Sequence, residues 1–279
     1  MLKSIFNFFL FSSLYIALCA VVMVYQLQLL FPQIPVPAPF YGFVFFSTVC
    51  SYNFHWWLTH HSATGTERLQ WALKYKRLHL LLYIAGMLGA AISFFVIRQH
   101  WAWIALGVFL TFLYSAPKIP QRFFIGLRRI AVGKTIFLAV VWMYVTTLLP
   151  LLVNNTGWQP AFTWLAISRF FLIYAICILF DYRDREDDKA DGIRSMITWF
   201  NERGIDNLFV LSLALFVVFT VLLHSSSIRW DTIGLLLVPG ALLAALYRYA
   251  KKHFSDYLYY FVLDGLMMLS GLLMILVDI

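Results

Sequence analysis

The chain is short of charge. Asp, Glu, Lys and Arg make up only 12% of its 279 residues, against 62% hydrophobic residues, and its mean hydropathy is +0.80. A soluble globular domain, about a quarter of whose residues are charged, is thereby excluded. Cysteine is equally scarce. Cys19, Cys50 and Cys177 all fall inside apolar runs and show no paired spacing, which excludes a disulfide framework and leaves three small buried hydrophobes. No low-complexity tract and no linker marks off a second soluble domain. Acid is in shorter supply than base, 13 residues against 21, for a net charge of +8.

What fills the chain is apolar sequence. Runs long enough to cross a bilayer, roughly 17–25 residues each, recur at about nine places: 4–31, 40–59, 78–97, 100–116, 135–153, 161–180, 207–224, 232–248 and 257–277. The first follows Lys3 but is too long for a secretory signal and lacks a small-x-small cleavage site, so it reads as a membrane helix. The basic residues are sorted by loop. Eighteen of the 21 lie in the N-terminal tail (Lys3) or in the loops after the second (Arg68, Lys74, Lys76, Arg77), fourth (Lys118, Arg122, Arg128, Arg129, Lys134), sixth (Arg183, Arg185, Lys189, Arg194, Arg203) and eighth runs (Arg248, Lys251, Lys252). Arg98 and Arg229 lie on the opposite side, and Arg169 lies inside a run. This bias is a membrane-topology signal and not a nucleic-acid footprint. It predicts an all-α integral membrane protein, a single multi-pass bundle (1–279) with the N-terminus cytoplasmic and the C-terminus outside. Cytoplasmic loops 60–77, 117–134 and 181–206 form its working face. A cell membrane follows as the location, the cytoplasmic membrane in a bacterium.

The acid is concentrated. Asp181, Asp184, Glu186, Asp187, Asp188 and Asp191 are six of the 13 acidic residues, packed into eleven positions where the sixth apolar run ends. If that helix continues past the membrane surface, Asp181, Asp184 and Asp188 fall at i, i+3 and i+7 on one face. Gly192 then suits the helix end. Clustered carboxylates at a membrane surface repel one another and call for a compensating cation; Mg²⁺ is commonly held by one or two carboxylates together with substrate phosphates. Arg194 is placed to add a bidentate contact to such a phosphate.

The pattern Asp181-x-x-Asp184-x-x-x-Asp188-x-x-x-Gly192-Ile193-Arg194-Ser195 resembles the second aspartate-rich motif of the UbiA-type intramembrane prenyltransferases. Tyr114-Ser115-Ala116-Pro117-Lys118, followed by Arg122, is similar to the Tyr-x-x-x-Lys element with which that family holds a diphosphate. The resemblance implies nine membrane helices and a site facing the cytoplasm. It implies Mg²⁺ at Asp184 and Asp188 with Asp181 assisting, and Lys118, Tyr114, Arg122, Arg194 and Asn53 on the diphosphate. The substrates it implies are a polyprenyl diphosphate and an acceptor that the sequence does not identify. Transfer would run within the lipid bilayer and without nucleic acid.

The first motif of the family, Asn-x-x-x-Asp-x-x-x-Asp, departs here: Asn53 is followed by Trp57 and His61 at the aspartate positions, and the nearest acid is Glu67. Three readings accommodate the loss. A single metal suffices, with Lys118, Arg122 and Arg194 neutralising the rest of the diphosphate. Alternatively His55, His60 or His61 takes the place of an aspartate, although their spacing is not that of helix-borne metal ligands. Or the protein is a non-catalytic isoprenoid- or lipid-binding membrane protein. Trp56, Trp57, Trp71 and Tyr114 stand at the membrane end where rings could face a carbocation, or serve as ordinary interfacial anchors. Finally, Arg169 and Asp264 are charges inside apolar runs at similar depth. They are expected to pair with each other, or Asp264 to face a cavity.

Overall fold

A computed structural model of the protein describes residues 2–59, 65–115, 134–154, 157–190 and 196–278, without the side chains at 115, 134, 187–190, 196 and 198. Among these residues all regular structure is helical: α1 (Leu2–Phe11), α2 (Leu14–Leu30), α3 (Ala38–Leu58), the short α4 (Glu67–Lys74), α5 (Lys76–Val96) and α6 (Trp101–Ser115). Then come α7 (Lys134–Met143, running through a π turn at Tyr144–Leu148 into Leu149–Val153), α8 (Pro160–Ala190), the short α9 (Met196–Trp199), α10 (Glu202–Leu222) and α11 (Trp230–Ala250). The last, α12, is π-helical over Leu258–Leu263 and α-helical over Asp264–Leu276. Every one of the nine predicted apolar runs is therefore helical where described. Among the described residues six helices are long and apolar enough to cross a membrane, and α1 with α2 makes a seventh as one span bent by 60°. The 21-residue α3 and the 15 described residues of α6 are not among them.

Helix α8 lies at the centre. It packs against α7 and α10, while α3 lies along α5 and α12 runs between α2 and α11. Of the apolar stretch of α8, 72% is buried inside the protein, against 11% for α5. The two are equally apolar, so hydropathy alone does not rank them; α5 leaves Leu81, Leu88, Ile92 and Phe95 exposed on an outer face.

Three helices depart from regular α-helical hydrogen bonding, and at each departure a carbonyl accepts from a side chain of another helix. Between α1 and α2, Ser13 adopts a left-handed φ of 68°. There Arg68 Nη1 donates to Leu10 O (3.1 Å) and Asn53 Nδ2 donates to Ser12 O (3.0 Å). The continuous first helix predicted from the sequence is thus divided by tertiary donors that local sequence does not reveal. In the π turn of α7, Arg169 Nη1 donates to Thr146 O (2.8 Å). In that of α12, Tyr15 donates to Phe261 O (2.7 Å). Within a bilayer such groups have no water to turn to, so the donors are obligatory.

The expected Arg169–Asp264 pair does not form. The Arg169 guanidinium, 5% exposed, also donates to Thr147 Oγ1 (3.0 Å), Met23 O (2.7 Å) and Gln26 Oε1 (2.9 Å). Gln26 in turn donates to Ser270 Oγ at 2.8 Å. Four neutral acceptors satisfy the arginine without a carboxylate.

Candidate functional site

Described residues of α1, α4, α8, α10 and the connection from α11 to α12 carry a set of polar contacts. Helix α4 is pinned by Arg68, whose backbone N–H donates to Asp256 Oδ2 (2.7 Å), and Tyr257 donates to Asn7 Oδ1 (2.8 Å) and Glu67 Oε2 (3.1 Å). At the start of α10, Glu202 pairs with Arg185 of α8 (2.8 Å) and with Lys251 after α11 (2.9 Å).

Helix α8 does continue past its apolar stretch as far as Ala190, which carries the acidic motif out on a regular helix. The predicted single acidic face is divided in use. Asp181 is buried and accepts from Thr135 Oγ1 on α7. Asp184, with a side chain 40% exposed, lines a cavity of about 390 Å³ together with Arg183, Glu67 and Asp256. Asp188 continues the helix one turn beyond Asp184, and its side chain lies outside the described residues. So do Lys118, Arg122, Arg194, His60 and His61. Tyr114 stacks on His55, ring centroids 5.5 Å apart. Asn53 is fully buried: its amide donates to Ser12 O and Val49 O, and its Oδ1 meets His79 Nδ1 at 2.6 Å. In this arrangement it braces α3 against the bent first helix and against α5.

Two arginines that the sequence reading treated only as topology signals stand at the centre of the site. Arg183 Nε donates to Asp184 Oδ1 (2.7 Å), its Nη2 donates to the Tyr260 hydroxyl (3.0 Å), and its side chain is only 8% exposed. Arg68 is sandwiched between the rings of Trp56 and Tyr260, 4.4 Å from each centroid. Arg183 lies 5.0 Å from the same Tyr260 ring. Arg183 Nη1 and Asp256 Oδ1, 3.9 Å apart, form an ion pair without a hydrogen bond, and Arg68 Nε likewise lacks an acceptor among the described residues. Buried N–H groups without acceptors are costly; one of these two, on Arg183, belongs to a residue that lines the cavity beside the carboxylates of Glu67, Asp184 and Asp256. The adjacency of Arg183 to Asp184 was the one local signal that could have pointed to it.

The donor set bears on Mg²⁺. Among the described residues no three His, Cys, Asp or Glu side chains gather closely enough to hold a metal ion. Mg²⁺ nevertheless needs only one or two protein carboxylates when a phosphate completes its shell. Asp184, open to the cavity, with Asp188 four residues on, fits that chemistry.

A helical bundle with several helices apolar enough to cross a membrane, and with an acidic helix that lines a cavity through Arg183 and Asp184, defines a multi-pass helical membrane protein. A family model described as the UbiA prenyltransferase family matches residues 69–262, and the chain belongs to that family. No curated protein and no solved structure matches it.

Proposed function

We propose that the protein is an intramembrane prenyltransferase that moves an isoprenoid from a polyprenyl diphosphate to an acceptor. The observation that carries this reading is the cavity beside α8, where Asp184 stands next to Arg183, whose Nη1 has no hydrogen-bond acceptor among the described residues, in a chain of this family. The bundle is read as nine crossings, with the charged end in the cytoplasm as the positive-inside bias directs.

The headgroup enters from the aqueous side and the isoprenoid tail lies along the bundle. Asp184 and Asp188 would hold Mg²⁺, which would supply positive charge to a departing diphosphate. Arg183 supplies a fixed N–H to a phosphate oxygen, and Lys118, Arg122 and Arg194 bring further positive charge from the loops. Asp181 and Asn53 hold α8 and α3 in register for this. Arg68 and Arg183 provide positive charge in the protein, which the missing first motif would otherwise have gained from a second metal. The reaction breaks the bond between C1 of the isoprenoid and the diphosphate oxygen, which keeps the electron pair. It forms a bond from the acceptor to C1 and releases the acceptor's proton.

The second reading, a non-catalytic isoprenoid-binding protein, is favoured by one observation: Trp57 and His61 occupy the aspartate positions of the first motif. Titration with geranylgeranyl diphosphate, with and without Mg²⁺, tests the site. Saturable binding that requires Mg²⁺ and is lost in Asp184→Ala supports a working diphosphate site, and binding indifferent to both refutes it. Release of diphosphate then separates the enzyme from the binding protein.

A further inference from the structure

A second, smaller cavity of about 20 Å³ lies beside Arg169, about 21 Å along α8 from Arg183 at 1.5 Å per residue. It is lined by residues of α2, α8, α10, α11 and α12, most of them apolar. Its polar lining is Gln26, Ser168, Arg169 and Ser270, and no carboxylate is among them. Four of the five guanidinium N–H groups of Arg169 are taken by Thr146 O, Thr147 Oγ1, Met23 O and Gln26 Oε1. The fifth, on Nε, has no acceptor among the described residues, and protein atoms do not seal it off. Ser270 is left in the same state. Its Oγ accepts from Gln26 Nε2 at 2.8 Å, and its own O–H has no acceptor among the described residues. The other polar donors are spent. Gln26 Nε2 gives its hydrogens to Ser270 Oγ and Met274 Sδ. Thr220 donates to Phe216 O, so the Ser168 hydroxyl donates to Thr220 Oγ1 at 2.7 Å.

The two groups left over are therefore both donors, one of them charged, around one small space. Hydrogen bonds to neutral acceptors disperse the charge of a buried arginine without cancelling it, and an uncancelled charge in a low-dielectric interior is costly. A water molecule would accept from both donors but bring no charge; an anion accepts from both and cancels the arginine. The space holds about one or two water-sized bodies, which suits a monatomic ion and excludes a carboxylate or a phosphate.

We propose that this cavity binds a single halide ion, chloride being the abundant one, held by Arg169 Nε–H and Ser270 O–H as a buried counter-ion. The site is independent of prenyl transfer and serves the bundle. Arg169 joins α8 to the π turn of α7 and to α2, and Ser270 joins α12 to α2 through Gln26. With the ion bound, the arginine that makes these bonds costs less to bury, so halide binding tightens the junction of four helices.

The test uses the full-length protein in detergent micelles and sodium gluconate, with chloride or bromide replacing gluconate at constant ionic strength. The unfolding midpoint is expected to rise saturably with either halide, by about 2–4 °C. Ser270→Ala removes one donor, leaves the four bonds of Arg169 in place, and should lose most of that rise. Arg169→Gln should lose all of it; where that variant does not fold, Ser270→Ala decides. A crystal grown in bromide should show anomalous scattering in the cavity beside Arg169 Nε. A midpoint indifferent to halide overturns the proposal, as does a rise that Ser270→Ala keeps in full. Density in the cavity without an anomalous signal marks a water and overturns it too.

Discussion

Arg68 gives its backbone N–H to Asp256 Oδ2 at 2.7 Å, tying two residues 188 positions apart in the chain. Through this bond the loop after α3 and the entrance to α12 become one wall of the cavity at the end of α8. The same arginine uses its guanidinium to hold the bend between α1 and α2. One residue therefore couples the N-terminal bend to the site.

The Asp256 carboxyl gives a pH-dependent signature. Burial raises it above the ordinary carboxylate range, against the opposing pull of the Arg68 N–H and of the Arg183 and Arg68 charges. A carboxyl whose folded pKa is raised binds more protons when folded, so stability falls as pH rises between the ordinary and the raised value. Asp256→Asn keeps an acceptor for the Arg68 N–H and removes the titration. Thermal unfolding in detergent should show wild type gaining on Asp256→Asn as pH falls from neutral towards about 4. A difference that stays flat with pH, or grows towards alkaline pH, contradicts this account.

Arg169 and Asp264 should respond independently. Arg169→Leu strands Thr146 O and Met23 O in the membrane interior and should cost about 2–4 kcal/mol. Asp264→Asn removes no partner of Arg169 and should leave the unfolding temperature unchanged. Equal losses in the two variants would restore the ion pair that the hydrogen bonds of Arg169 argue against.

Asn53 separates bracing from binding. Asn53→Ala removes donors to Ser12 O and Val49 O and the partner of His79, and should destabilise by about 1–3 kcal/mol. The protein that remains folded should bind geranylgeranyl diphosphate with wild-type affinity. Lost affinity without lost stability would place Asn53 on the diphosphate instead.

The helix that carries the acidic stretch was legible because its pattern is local. The spacing Asp181, Asp184, Asp188 and Gly192 sits on one continuous stretch, and α8 carries that stretch as a helix as far as Ala190. Arg183 and Arg68 were visible only as positive charge, because what sets them apart is aromatic enclosure by Tyr260, Trp56 and Tyr259 from distant helices. The role of Asp181 was hidden for a similar reason: Thr135, its partner, lies 46 residues earlier.

The sequence by itself determined that this is a helical membrane protein, where most of its helices run, and which family it belongs to. Apolar run length and loop charge decide those properties, and both are additive along the chain. Tertiary structure alone decided where the helices break, which charges pair, and which carboxylate faces the cavity. Those outcomes depend on donors and acceptors meeting across the bundle, as when Arg68 and Asn53 take up the carbonyls freed between α1 and α2.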